Sequence, residues 1–288
     1  MGCTTVTNPA IRPTLVAEID AHEGPVYAAD EGALYFTTVR RERVAINRLD
    51  LATGTVSVLR EDTNTANGMA LDREGCLVVC EQGTLSEPAR ISRVDRGTGQ
   101  RETVVEGLNS PNDVVVARDG SIWFTDPSYG WLQGFRPEPE GPDAVYRYDG
   151  ALTVVADSFD KPNGIAFSPD QEVLYVGDSG AIHGPDDYDP NRPRRVVVFD
   201  AAGGALANER VFADEIPGFP DGLKVDAVGR VYVSSSGGVL VYAPDGVLLD
   251  EIELPGAVNF AFGGPEGNLL YITTDDAVWA AVLDTKGA

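Results

Sequence analysis

A single pattern recurs six times along this 288-residue chain: a polar residue, an alternating strand, a tight turn and a second strand. The copies open at Glu23, Asn67, Asn112, Asn163, Asp221 and Asn259, and these leading residues lie 38 to 58 positions apart. Repeating units of about this length, each holding several short strands, are propeller blades. Every blade is a four-stranded antiparallel sheet that buries its faces only by stacking on its neighbours. The chain is therefore predicted to be all-β, a six-bladed β-propeller occupying residues 1–288 as one domain, with a flexible N-terminus over residues 1–13.

Turn chemistry supports the pattern. Asp30-Glu31-Gly32, Arg73-Glu74-Gly75, Asp119-Gly120 and Pro169-Asp170 separate first from second strands, because Gly, Asp and Pro supply the backbone angles a tight turn requires. Third and fourth strands follow in most units, as at 43–49 with 55–59 and at 194–199 with 209–212. The last unit offers only three, at 258–262, 269–273 and 277–283. Residues 14–19 have strand composition and are predicted to close that sheet as its outer strand, leaving no unpaired edge.

Composition bounds the partners. Forty-five acidic residues against 22 basic ones give a formal charge of -23, a field that repels phosphate backbones and anionic lipid surfaces. Neither nucleic acid nor membrane is an expected partner. No window approaches the roughly 18–20 apolar residues of a membrane span. Residues 1–5 show no basic region leading into an apolar stretch. A cytoplasmic monomer or weak homo-oligomer is expected. Cys76 and Cys80 fall four residues apart in a strand-like run, about 13 Å at 3.3 Å per residue, too far to bridge each other. They read as core residues of a reducing compartment.

In a propeller the innermost strands run beside the central channel, so the six leading residues are predicted to form a ring at one rim. Two carboxylates and four amides present oxygen donors suited to a hard cation. Ca²⁺ fits best, with Mg²⁺ or Mn²⁺ less natural. Asn-Gly and Asp-Gly are equally the commonest hairpin-turn dipeptides, and a polar ring can hold ordered water instead. Periodicity alone leaves these alternatives open.

The strings Glu23-Gly-Pro, Ala66-Asn-Gly, Asn109-Ser-Pro-Asn-Asp-Val-Val-Val, Trp123-Phe-Thr-Asp-Pro-Ser-Tyr-Gly, Pro162-Asn-Gly-Ile-Ala-Phe-Ser-Pro-Asp, Pro220-Asp-Gly-Leu and Phe262-Gly-Gly-Pro occur in that order. Together they resemble the gluconolactonase/regucalcin (senescence marker protein) family of six-bladed propellers, in particular its bacterial sugar-lactonase branch. The resemblance implies one catalytic divalent cation held by Glu23, Asn112, Asn163 and Asp221, with Ca²⁺ first and Zn²⁺, Mn²⁺ or Mg²⁺ as alternatives. It also implies a small lactone as substrate and Asp221 as the base that takes a proton from water. Direct attack by Asp221 and a metal-bound hydroxide are the competing routes. Asn67 and Asn259 become second-layer or substrate-facing groups. Ser110 stands where the animal regucalcin pattern has arginine, so that branch's substrate contacts do not carry over.

Other residues bear on the pocket. Asp126 closes a second strand in Asp-Pro, as a pocket group or a turn residue. His183 lies beside a long Pro- and Asp-rich connection over 184–193 and is a candidate substrate contact or proton shuttle. Tyr129, Trp131 and Phe135, around the insertion 131–143, form a candidate lid over a sugar ring, or else anchor a proline-stiffened surface loop. His22 is expected to turn away from the ring by strand alternation and to serve structure. The leading reading is a metal-dependent aldonolactonase. The alternatives are a related propeller hydrolase acting on a non-sugar lactone or phosphotriester, a non-catalytic calcium-binding propeller, and, more distantly, a strictosidine-synthase-like condensing enzyme.

Overall fold

A computed structural model of the chain describes residues 11–38 and 44–288. Six four-stranded antiparallel sheets succeed one another along the sequence. Their innermost strands are Val26–Ala28, Ala66–Leu71, Val114–Val116, Pro162–Phe167, Leu223–Val225 and Asn259–Gly263. Each touches the innermost strand of the next blade, and the sixth touches the first, so the ring is closed. The molecule is a six-bladed β-propeller.

Closure follows the pattern read from the sequence. Blade six consists of Asn259–Gly263, Leu269–Thr273, Ala277–Val282 and, as its outer strand, Thr14–Glu18. Thr14 pairs with Ala280 and Glu18 with Ala277 in antiparallel register, with a bulge between Leu15 and Ala17. Ile11 already packs against the core of this blade. Residues 1–10 of the predicted flexible N-terminus lie outside the described residues.

The core lies between blades rather than inside one of them. Val196, Val198 and Tyr175 of blade four pack against Leu223, Val231, Val233 and Leu240 of blade five, and Leu34, Phe36 and Leu49 of blade one meet Ala261, Tyr271 and Val278 of blade six. Second strands are covered on both faces. Ala33–Thr37, Leu77–Glu81, Ile122–Asp126 and Val231–Ser235 are buried at every residue. This is why they read as continuous apolar runs without alternation. Outer strands such as Leu248–Glu253 are largely exposed.

Two details differ from the sequence reading. The connection over 184–193 is partly regular, because Ile182–Gly184 pairs with Asp187–Tyr188 in a small hairpin. The insertion around 131–143 begins with a one-turn helix, Tyr129–Leu132. Cys80 is buried in the core, whereas Cys76 is only half-buried. Of the predicted third strand of blade one, Arg43 lies outside the described residues and the strand itself runs Ile46–Asp50.

Candidate functional site

Two local devices bring the leading residues to the rim. In blade two the register shifts between Ala66 and Met69, and in blade four between Pro162 and Ile165. Each shift spans an Asn-Gly pair, so these dipeptides form bulges at strand starts instead of hairpin turns, and a bulge re-aims the side chain it carries. The glycine is required by what sits above it. A Cβ on Gly68 would lie 2.5 Å from the Asn112 carbonyl oxygen, and one on Gly164 only 2.1 Å from that of Asp221. The backbone of each next blade's leading residue thus occupies the space a side chain would need.

The second device is a buried hydroxyl at the end of a blade's second strand. Thr37 Oγ1 donates to the Glu23 carbonyl (3.0 Å) and lies 3.3 Å from that of Asn67. Thr125 Oγ1 donates to the Asn163 carbonyl at 2.8 Å, and Thr273 Oγ1 lies 3.0 Å from that of Asn259. Ser179 Oγ reaches the Pro220 carbonyl in the next blade. Sequence reasoning missed these clamps. Their signal is a hydroxyl closing an apolar run, in Tyr-Phe-Thr37, Trp-Phe-Thr125 and Tyr-Ile-Thr273.

The result is a cavity of about 390 Å³ at the rim, lined by Glu23, Asn67, Asn112, Asn163, Asp221 and Tyr129. Glu23 is only 3% exposed. Burial raises its carboxyl pKa, opposed in part by His22 and reinforced by Asp113. Burial and then the neighbouring Glu23 hold Asp221 well above the usual carboxylate range. Two apposed carboxylates, Glu23 buried and Asp221 half-buried, disfavour their joint ionisation. Beside them the side-chain oxygens of Asn67 and Asn112 are buried without a hydrogen-bond partner among the described residues. Apposed carboxylates with unpartnered amide oxygens are the donor set of a hard divalent cation, so the residues fit such an ion. No group of three or more His, Cys, Asp and Glu among the described residues is placed to hold a metal ion by itself, so any cation here must draw on the amides.

The other candidate residues divide. Tyr129 lines the cavity, and its hydroxyl donates to the Ser179 carbonyl at 3.4 Å. Burial and the nearby Asp221 raise its pKa well above the usual phenol value. Asn259 stands behind the wall, donating from Nδ2 to Glu23 Oε2 at 2.8 Å. Asp126 does not reach the cavity. Its two oxygens accept the backbone N–H groups of Asn109 and Ser110, both at 2.8 Å, so it is consumed in holding the loop that carries Asn112. His183 is also turned aside. Its neighbours Ile182 and Gly184 line the cavity, while its Nε2 lies 3.1 Å from Asp160 Oδ1.

His22 corrects the sequence reading in the opposite direction. It lines the cavity, because residues 19–25 form no strand and alternation does not apply to them. Trp131 is 45% exposed, and neither it nor Phe135 lines the cavity. Gln82, Gln133 and Phe219, which do, carried no sequence signal because they sit in connections of no repeated pattern. Ser110 accepts the Gly130 N–H at 2.9 Å and donates to the Pro127 carbonyl at 2.6 Å. It therefore anchors the helix bearing Tyr129.

A closed six-bladed propeller with a carboxylate–amide ring at one rim defines the class of the molecule. The chain belongs to the SMP-30/gluconolactonase/LRE-like family, whose sequence pattern it matches over residues 21–276. It is 29% identical over 259 residues to a pentonolactonase of Haloferax volcanii, covering 88% of this chain and 80% of that protein. It is 32% identical over 187 residues to a gluconolactonase of Zymomonas mobilis, covering 59% of this chain and 49% of the other. The solved structure of a gluconolactonase from Xanthomonas campestris superposes with a TM-score of 0.80 at 35% identity, covering 93% of this chain and 88% of that one.

Proposed function

We propose that this chain is a divalent-metal-dependent lactonase that opens a sugar (aldono-) lactone. The observation that carries the reading is the apposition of Glu23 and Asp221 in one cavity with the unpartnered Asn112 oxygen. The names of the relatives, pentonolactonase and gluconolactonase, support the substrate class. Glu23, Asn112, Asn163 and Asp221 would hold the cation, Ca²⁺ in the first instance. When bound it supplies Lewis-acid polarisation of the lactone carbonyl and offsets the charge that grows on oxygen in the tetrahedral transition state.

The chain's own residues do the rest. One Asp221 oxygen accepts a proton from the water that attacks the carbonyl carbon. Asn259 fixes the Glu23 carboxylate through the 2.8 Å bond, and the Thr125 hydroxyl fixes the backbone of Asn163. Tyr129 stays protonated through the neutral range and keeps its hydroxyl as a donor at the wall. Asn67 faces the substrate with its unpartnered oxygen. The test is hydrolysis of an aldonolactone panel, corrected for spontaneous opening, on protein stripped with EDTA and reloaded singly with Ca²⁺, Zn²⁺, Mn²⁺ and Mg²⁺. Turnover is expected to vanish on stripping, to return with at least one ion, and to fall about 10²–10⁴-fold in Asp221→Asn. Full activity in Asp221→Asn would sink the proposal.

A further inference from the structure

We infer that His22, oriented by Asp275, is a substrate-binding residue of this cavity, its Nε2 hydrogen-bonding a hydroxyl of the lactone. The ligand's identity rests on the lactonase reading; the placement of His22 does not. The backbone of His22 is gripped from two blades. Its N–H donates to the Thr37 carbonyl of blade one at 2.8 Å, and its carbonyl accepts Thr273 Oγ1 of blade six at 2.5 Å. Gly24, at φ +57°, turns the chain directly after Glu23. Consecutive residues, His22 and Glu23, therefore both line the cavity, which a strand could not achieve.

The imidazole is oriented as well as placed. Nδ1 lies 2.7 Å from Asp275 Oδ1, and an ionised carboxylate only accepts. A ring proton thus sits on Nδ1, leaving Nε2 as the atom that can meet a ligand. Among the described residues Nε2 has no hydrogen-bond partner. His22 also borders a second space of about 680 Å³ between blades five and six, which shares His22, Phe219 and Asp221 with the central cavity. A group at that junction, with its ring oriented by Asp275 and lining the same cavity as Asp221, is placed to read a hydroxyl on the ring being opened. Asp275 acts through His22 and is a positioning residue.

The chain has only two histidines, so ¹⁵N-imidazole NMR separates His22 from His183 with one variant. The probe is 1,5-anhydroglucitol, which keeps the hydroxylated ring and lacks the scissile carbonyl. The Nε2 signal of His22 is expected to shift when the probe is added, and to shift less in Asp275→Asn, which lacks the carboxylate that orients the ring. Kinetics on glucono-δ-lactone should show kcat/KM falling about 10–100-fold in His22→Leu, mostly through KM. His22→Gln, which keeps a hydrogen-bonding amide at this position, should recover most of the loss. An unmoved His22 signal, or equal losses in the Leu and Gln variants, would overturn the inference. A shifted signal in a protein that hydrolyses no lactone would leave the His22 contact standing and remove the lactonase reading instead.

Discussion

At the residue scale the informative case is Asp126, because its carboxylate is buried, hydrogen-bonded and outside the cavity. Burial raises its pKa to about 7, against the opposing pull of the Asn109 and Ser110 N–H groups. An unfolded aspartate titrates near 3.9. A group with a raised folded pKa contributes stability that is fully present below the unfolded value and is lost as pH rises through the folded one. Asp126→Asn does not titrate at this site. The stability of the native protein relative to that variant is therefore expected to decline between pH 4 and pH 8 and then level off. Denaturant melts of both proteins across that range measure it, and a pH-independent difference would contradict the assignment.

At the scale of elements, two features hold the ring residues in register. The first is the glycine that follows a leading residue. Gly164→Ala places a methyl 2.1 Å from the Asp221 backbone oxygen, so the strand starts of blades four and five must separate. A cost of about 1–3 kcal/mol is expected from overpacking of this kind, together with weaker cation binding in calorimetry. The second is the outer strand Thr14–Glu18. Deleting residues 1–19 exposes the edge of Ala277–Val282 and removes Val16, Ala17 and Ile19 from the contact between blades six and one. The truncated protein is expected to melt about 5–10 °C lower, a loss of a few kcal/mol, or to self-associate through the open edge. An unchanged melting temperature in a monomeric truncation would refute the closure argument.

At the scale of the whole molecule, the closed ring couples the cavity to global stability. Every blade supplies a leading residue near the rim, and each blade is held by its two neighbours. A cation held by Glu23 and Asp221 would tie blade one to blade five at the rim. It would also relieve the repulsion of the two carboxylates in a chain of net charge -23. Binding to the native state alone at a hundredfold excess over Kd adds about 2.7 kcal/mol. Melting in saturating Ca²⁺ is thus expected roughly 5–10 °C above melting in EDTA, and the gain should shrink in Asp221→Asn. Equal shifts in both proteins would place the ion elsewhere.

The repeat by itself determined the fold, the blade count and the closing strand, because a propeller writes its architecture into periodic strands and turns that any one unit displays. It also grouped Glu23, Asn67, Asn112, Asn163, Asp221 and Asn259, since phase along the repeat becomes position around the channel; five of the six line the cavity. Tertiary structure decided the rest. Asp126, His183 and Asn259 carry the right chemistry but are engaged by Asn109, Asp160 and Glu23, partners 17 to 236 positions away in the chain. His22 was misjudged because alternation holds only within a strand, and the segment before Val26 is not one. Whether Asn-Gly makes a hairpin turn or a bulge likewise depends on the neighbouring blade's backbone, which fills the space above the glycine. Periodicity is a local property that survives in one dimension; where a side chain outside the repeat points is set by contacts that exist only after the ring has closed.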